Sequence, residues 1–317
     1  MIFFSQHYLK PRIIYVNIKA KGERIMFDEI VIFGKTIELY NLMYVVGVVG
    51  MLLICLFTGK KYRFSKPKAL IYTLATFACG VLGAKLMGKI YSFSLEKASG
   101  GEYIPDSGVC IFGALLFLPV FMIVVSLISR ESYRALMDYM TPGIFFILCC
   151  AKFGCSLEGC CHGIADPNGI FNHRLDYKVF PVQIYESLCT LSVVVILLVI
   201  ISKRGKIRYG SIYPIGSLLY CVARFIWENF RYYEHEVEKE FFIGLTYWQM
   251  WVIIITVISI VWLIILYKSN RFAELNIEKV SYRRDYKAMI AKMEADRRRK
   301  EKEKLKAKKA EKKNKSK

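Results

Sequence analysis

Hydrophobic and polar residues in this chain are segregated into long blocks rather than mixed at a strand or amphipathic-helix period. Apolar runs occupy residues 39–57, 69–90, 109–128, 140–153, 182–201, 213–230 and 242–267, with short charged stretches between them. Most approach the roughly 20 residues that a helix needs to cross a bilayer. A hydrocarbon interior offers backbone groups no water to bond, so spanning runs of this length are helical. The pattern predicts an all-α integral membrane protein with about seven transmembrane helices. Two runs fit less well: the fourth is short before Gly154, and the sixth carries Arg224 and Glu228. A re-entrant segment is the alternative at either place.

Composition points the same way. The chain is 55% hydrophobic and 15% aromatic while 23% of its residues are charged, and its mean hydropathy is positive. A soluble chain of this size intersperses its charges with its apolar residues, whereas here the two are kept apart.

Loop charges set the expected orientation, because Lys and Arg near span ends stay cytoplasmic while acidic residues count for little. Lys60, Lys61, Arg63, Lys66 and Lys68 follow the first run, Arg130 and Arg134 the third, and Lys203, Arg204, Lys206 and Arg208 the fifth. The other connections are poor in basic residues, the one after the sixth run carrying Glu234, Glu236, Glu238 and Glu240. This predicts an outer amino terminus and a cytoplasmic carboxyl terminus. Lys10, Arg12, Lys19, Lys21 and Arg24 conflict with it, and a start at Met26 would remove the conflict. Residues 1–25 are accordingly expected to be an extension outside the folded unit, and they lack the apolar core of a signal peptide.

From Lys268 onward the chain holds 20 Lys or Arg against 8 Asp or Glu, supplying +12 of the formal +20. Residues 268–317 read as a basic cytoplasmic tail, with an amphipathic helix over 272–295 and disorder over 297–317 in isolation. Anionic lipid headgroups are its expected partner. No nucleic-acid role is expected, since no aromatic stacking platform accompanies the charge.

Five of the ten cysteines fall between positions 149 and 161: Cys149, Cys150, Cys155, Cys160 and Cys161, followed by His162. Thiolate and imidazole suit zinc, and an outer-face disulfide is a second option. The spacing lacks the two separated ligand pairs of zinc ribbons, so the favoured reading is small residues packing beside Gly154, Gly159 and Gly163, with no metal and no cofactor.

The most informative polar feature is Tyr220, Arg224 and Glu228, whose i, i+4, i+8 spacing puts them on one helix stripe. A charge at membrane depth costs about 2.5–3.5 kcal/mol on insertion scales and is retained for function. That face is built to hold something polar.

Ordered motifs then carry a resemblance. Gly154-Cys155-Ser156-Leu157-Glu158-Gly159-Cys160-Cys161-His162-Gly163, Phe180-Pro181-Val182-Gln183-Ile184-Tyr185-Glu186 and the stretch from Tyr220 to Arg231 resemble, in order, the motifs of the prolipoprotein diacylglyceryl transferase family. Tyr40-Asn41-Leu42-Met43 and Gly83-Ala84-Lys85-Leu86 resemble its first- and second-span motifs. The likeness covers residues 26–267, which would form the transferase-like membrane domain.

What the resemblance implies is a multi-pass enzyme of the bacterial plasma membrane. It would transfer the diacylglyceryl group of phosphatidylglycerol to the lipobox cysteine thiol of a prolipoprotein signal peptide and release glycerol phosphate. Arg224, Glu228, Tyr220, Glu186 and Tyr185 then stand where the family's catalytic residues lie, and Lys152, Tyr40, Gln183, Gly154, Gly163 and His162 where substrate is bound. An arginine fork suits a phosphate better than a lysine point charge, and Glu228 is expected to orient Arg224. Two departures stand out: Phe112 and Phe180 occupy positions where the family carries histidine, and Lys152 stands in place of an arginine. They motivate the alternative of a non-catalytic, lipid-binding paralogue.

Overall fold

The structure is a computed structural model that describes residues 14–21, 24–32, 35–62, 64–101, 110–203, 207–208, 210–233, 236–241, 243–268, 291–292, 294–301 and 303. The long helices are α1 (Leu39–Lys61), α2 (Lys66–Ala98), α3 (Ile111–Ser129), α4 (Tyr133–Glu158), α5 (Val182–Ser202), α6 (Ile212–Glu228) and α8 (Tyr247–Lys268), with a single turn α7 (Glu236–Lys239) before the last. Two small sheets stand beside the helices. β1 (Ile14–Lys21), β2 (Arg24–Ile32) and β3 (Lys35–Glu38) form an antiparallel meander that contains Met26, and β4 (Ala165–Asn172) pairs antiparallel with β5 (Tyr177–Val179). The protein is thus mostly helical, with strands that the apolar pattern does not reveal.

Among the described residues, six helices are long and apolar enough to cross a membrane. The expected count differs at α6, which has 17 residues and so falls short of the others. The expectation that the fourth run is marginal is also corrected, because α4 begins seven residues before the apolar run and is the most buried of the six. Its early polar residues are internally satisfied. Asp138 is buried and accepts the backbone N–H groups of Gly210 at 2.6 Å and Ile212 at 2.9 Å, and Thr58 donates to the Tyr139 carbonyl at 2.6 Å. A buried carboxylate paired this way fixes the start of α6 against α4.

The helix α4 packs on α1 and α5, α2 packs on α3, and α6 packs on α8. Close approach of α2 and α3 depends on Gly83 and Gly113, since a Cβ on Gly83 would lie 2.7 Å from the Gly113 carbonyl oxygen. Small residues at a helix contact allow the backbone proximity that dispersion attraction requires in an apolar solvent. Lys68 pairs with Glu131 at 2.9 Å, and Arg208 donates to the carbonyls of Leu266 and Tyr267, covering the carboxyl end of α8. These contacts gather the basic connections at one end of the bundle. The α2 helix, 33 residues and roughly 50 Å long at 1.5 Å per residue, projects past the opposite end, where Tyr91 donates to Glu238 of α7 at 2.5 Å.

In the basic tail, residues 294–301 are helical and carry the i, i+4 pairs Arg297–Glu301 and Arg299–Glu303, each at 3.3 Å. This lies partly in the stretch expected to be disordered in isolation. Exposed pairs of this kind contribute only about 0.3–0.5 kcal/mol each.

Candidate functional site

Lys152 near the end of α4, Glu186 near the start of α5, and Arg224 and Glu228 in the last turns of α6 meet at the end of the bundle away from the basic connections. Glu186 is their common partner. Its Oε2 lies 2.9 Å from Lys152 Nζ, and its Oε1 accepts from Arg224 Nη1 and, at 2.7 Å, from Arg231 Nη2. Glu228 Oε2 lies 2.5 Å from Arg224 Nη1 and 3.6 Å from Arg231 Nε. Glu228 therefore shares the orientation of Arg224 with Glu186, where the sequence suggested Glu228 alone.

Arg231 completes the cluster and was not among the expected site residues. It follows Glu228 by three positions, one turn further along the same line, but lies just beyond the last helical residue of α6. Its side chain is 7% exposed, and those of Arg224, Glu186 and Glu228 are more deeply buried. Three cations against two carboxylates leave one formal positive charge in a low-dielectric place. An uncompensated buried charge is costly, so a cluster of this make-up suits an anionic group beside it. Arg224 Nε, Glu228 Oε1 and the Tyr220 hydroxyl are buried without a hydrogen-bond partner among the described residues. Such orphaned groups call for a ligand or water to complete them.

The cluster forms one wall of a cavity of about 330 Å3. Lys152, Arg224, Arg231, Cys155 and Cys161 supply its polar end, while Met51, Phe77, Leu115, Leu118, Ile144 and Leu148 line its apolar body. Tyr40 is also in the wall, packed close to Gly154, where a Cβ would lie 3.2 Å from the tyrosine ring. Phe112 sits in the wall too. Its ring lies 5.5 Å from the Arg224 guanidinium carbon and stacks on Trp248 at 5.3 Å. The aromatic face thus supports the guanidinium by a cation–π contact.

Other expected site residues are placed differently. Tyr185 is 39% exposed and stacks on Phe180 and Trp227, with ring centroids 5.3 and 4.8 Å apart, so it belongs to an outer aromatic patch and is not part of the charged cluster. Tyr220 is buried one turn before Arg224 but does not line the cavity. The His162 ring stacks on Tyr232 at 5.2 Å, and its Nδ1 lies 2.9 Å from the Gly163 carbonyl. It too lies outside the cavity wall. Gln183 donates to the Cys160 carbonyl at 2.7 Å and so holds the cysteine loop.

That loop is braced on every side. Gly159 ends α4 in the left-handed conformation, φ 75°, as helix C-caps commonly do. Asn172 of β4 donates to the Gly159 carbonyl at 2.9 Å. Gly163 donates to Phe180 O, Ile164 donates to Phe230 O, and Tyr232 donates to His162 O, binding the loop to the start of α5 and the end of α6. A Cβ on Gly163 would lie 2.5 Å from Phe180 O and 2.7 Å from Phe230 O, so only glycine permits this junction.

The cysteines separate into two groups. Cys149 and Cys150 are buried, as packing residues are. Cys155, Cys160 and Cys161 instead bring their sulfur atoms within 4.8 Å of one another, and Cys161 is exposed. Hydrogen bonds from the Cys155 and Cys160 thiols, with help from Lys152 and Arg231, hold the Cys161 thiol well below the ordinary thiol range. Packing alone does not describe these three.

With this geometry in place, comparison with known proteins is informative. The family profile described as prolipoprotein diacylglyceryl transferase matches residues 29–265. The chain is 25% identical to phosphatidylglycerol–prolipoprotein diacylglyceryl transferase 2 of Clostridium perfringens over 66% of its own length and 83% of that protein. It is 23% identical to the phosphatidylglycerol–prolipoprotein diacylglyceryl transferase of Listeria welshimeri, covering 62% and 75% of the two chains. A protein of the same name from Dehalococcoides mccartyi is 24% identical over 59% of this chain and 75% of its own. The match takes in all five residues of the charged cluster and reaches into each membrane-length helix among the described residues, and the chain belongs to the prolipoprotein diacylglyceryl transferase family.

Proposed function

We propose that this chain transfers the diacylglyceryl group of phosphatidylglycerol to the lipobox cysteine thiol of prolipoprotein signal peptides, in a bacterial plasma membrane. The observation that carries the reading is the convergence of Lys152, Arg224 and Arg231, held by Glu186 and Glu228, at the polar end of an apolar cavity. Phosphatidylglycerol is a monoanionic phosphodiester with two acyl chains, and its anionic head and apolar body suit the cationic end and apolar wall of the cavity. Lys152, Arg224 and Arg231 hold the phosphate. Glu186 and Glu228 keep the three cations from separating and fix their directions.

In the reaction the acceptor sulfur attacks the glycerol carbon next to the phosphate, the carbon–oxygen bond breaks, and the electron pair leaves with glycerol phosphate. Cations fixed before the reaction stabilise that departing charge without reorganising. In this reading α6 is a seventh, short span, the amino terminus and the site lie on the outer side, and the transferase-like membrane domain runs from residue 26 to 267. The tail from residue 268 rests on anionic headgroups of the inner leaflet.

The test is reconstitution with phosphatidylglycerol and a lipobox peptide, beside an active family member. Formation of diacylglyceryl peptide by both supports the reading, and rescue of a transferase-deficient strain extends it to cells. Transfer by the control alone, with phosphatidylglycerol still bound by this chain, would instead establish the non-catalytic lipid-binding paralogue suggested by Phe112 and Phe180.

A further inference from the structure

The charged cluster supplies a phosphate site, but among the described residues the cavity wall has no imidazole to take the proton of an acceptor thiol. Phe112 and Phe180 are aromatic hydrocarbons, and His162 is stacked against Tyr232 outside the cavity. Two of the three clustered thiols, Cys155 and Cys161, line the cavity, and Cys160 lies beside them.

We propose that Cys155, Cys160 and Cys161 form an open three-thiolate site for a soft divalent cation, Zn2+ by its chemistry, which takes the acceptor thiol as its fourth ligand. The proposal rests on the transferase reading for the identity of that fourth ligand, but the metal site stands on its own geometry. Zinc–sulfur bonds of about 2.3 Å in a tetrahedron put the sulfurs roughly 3.8 Å apart. Sulfurs already within 4.8 Å of one another need only close slightly around an ion.

Chain direction explains why the Cys-x4-Cys-Cys spacing works without a second ligand pair. Cys155 projects from the last turn of α4, and the left-handed residues Gly159 and Cys161, φ 75° and 54°, fold the chain back over it. A non-glycine residue in that conformation is uncommon and is held here by its surroundings. Gln183 and Asn172 anchor the carbonyls of Cys160 and Gly159, so the loop is fixed from two separate elements. Arg231 donates to the Cys161 carbonyl at 3.3 Å.

Three protein ligands with a free fourth position is the form of a catalytic rather than a structural zinc site. The step balances without redox change. The acceptor thiol binds the cation and releases its proton to water, because a coordinating thiol is deprotonated outright. Its sulfur then attacks the glycerol carbon, phosphate leaves as glycerol phosphate toward Lys152, Arg224 and Arg231, and the neutral thioether product dissociates from the cation. Metal coordination would thus do the work for which this cavity has no imidazole.

The experiment uses the full chain purified in detergent under reducing conditions, loaded with Zn2+ or with Co2+ as its spectroscopic substitute, and freed of excess metal. One metal per chain is expected, falling to none in Cys161→Ser and in Cys155→Ser, while Cys149→Ser keeps it. The Co2+ protein should show sulfur-to-cobalt charge-transfer absorption that changes when a lipobox peptide is added and not when its cysteine is replaced by alanine. Failure of the wild type to retain metal, equal retention by Cys161→Ser, or a cobalt spectrum indifferent to the peptide overturns the proposal. Full transfer activity in metal-free protein overturns it while leaving the transferase reading intact. A peptide-responsive metal site without any transfer supports the metal site and sinks the transferase reading instead.

Discussion

Replacing Arg224 by lysine separates the shape of a cation from its charge. The wild-type guanidinium uses Nη1 on Glu186 and on Glu228 Oε2 at 2.5 Å, and lies over the Phe112 ring. Lysine keeps the formal charge of the cluster at one positive. It offers one nitrogen, however, and cannot hold both carboxylates while presenting a parallel pair of donors to a phosphate. Loss of one charge-assisted hydrogen bond to the departing phosphate is worth about 1.5–3 kcal/mol. At 1.36 kcal/mol per factor of ten this is a roughly 10- to 150-fold fall in transfer rate. The assay is diacylglyceryl transfer to a lipobox peptide in phosphatidylglycerol vesicles, with the thermal midpoint of each variant recorded beside it. Arg224→Ala should lose more, because it also removes a buried partner of two carboxylates. A folded Arg224→Lys protein whose rate stays within about threefold of wild type, well under one hydrogen bond's worth of barrier, would refute the fork argument and reduce Arg224 to a generic cation.

Glu186→Gln removes the carboxylate that three cations share, and should lower stability by about 3–5 kcal/mol, read as a lower thermal midpoint in detergent. An unchanged midpoint would mean that the cations find other partners. Gly163→Ala places a methyl carbon against Phe180 O and Phe230 O, and should cost about 1–3 kcal/mol and raise alkylation of Cys161 as the loop shifts. Wild-type stability in this variant would show that the junction yields easily. Tyr91→Phe deletes the 2.5 Å hydrogen bond to Glu238, worth about 1.5–3 kcal/mol, and hydrogen exchange should accelerate in α7 before the rest of the bundle. Uniform acceleration would contradict a local role.

The helical membrane fold is legible in the sequence because an apolar run near 20 residues has few structures open to it in lipid. Positions such as 182–201 correspond closely to a helix, Val182–Ser202. The start of α4 was hidden because Arg134 and Asp138 look like loop residues until Asp138 is seen accepting two backbone N–H groups at the start of α6. The Tyr220, Arg224 and Glu228 stripe was likewise readable from helical period alone.

What sequence could not supply was which groups meet from different helices. Glu186 and Lys152 are 34 positions apart and Glu186 and Arg224 are 38 apart, yet one carboxylate joins them. Tyr185, adjacent to Glu186, points into an outer aromatic stack instead, because successive helical residues face directions about 100° apart and only one of the two can face the cluster. The three-thiol group depended on a left-handed reversal that spacing rules for zinc ribbons do not describe. Sequence by itself determined the membrane-helical class and one charged stripe, since both follow from local period and solvent. Tertiary packing decided the net charge of the site, the membership of Arg231 and the convergence of the thiols, since these depend on distances between segments that are remote along the chain.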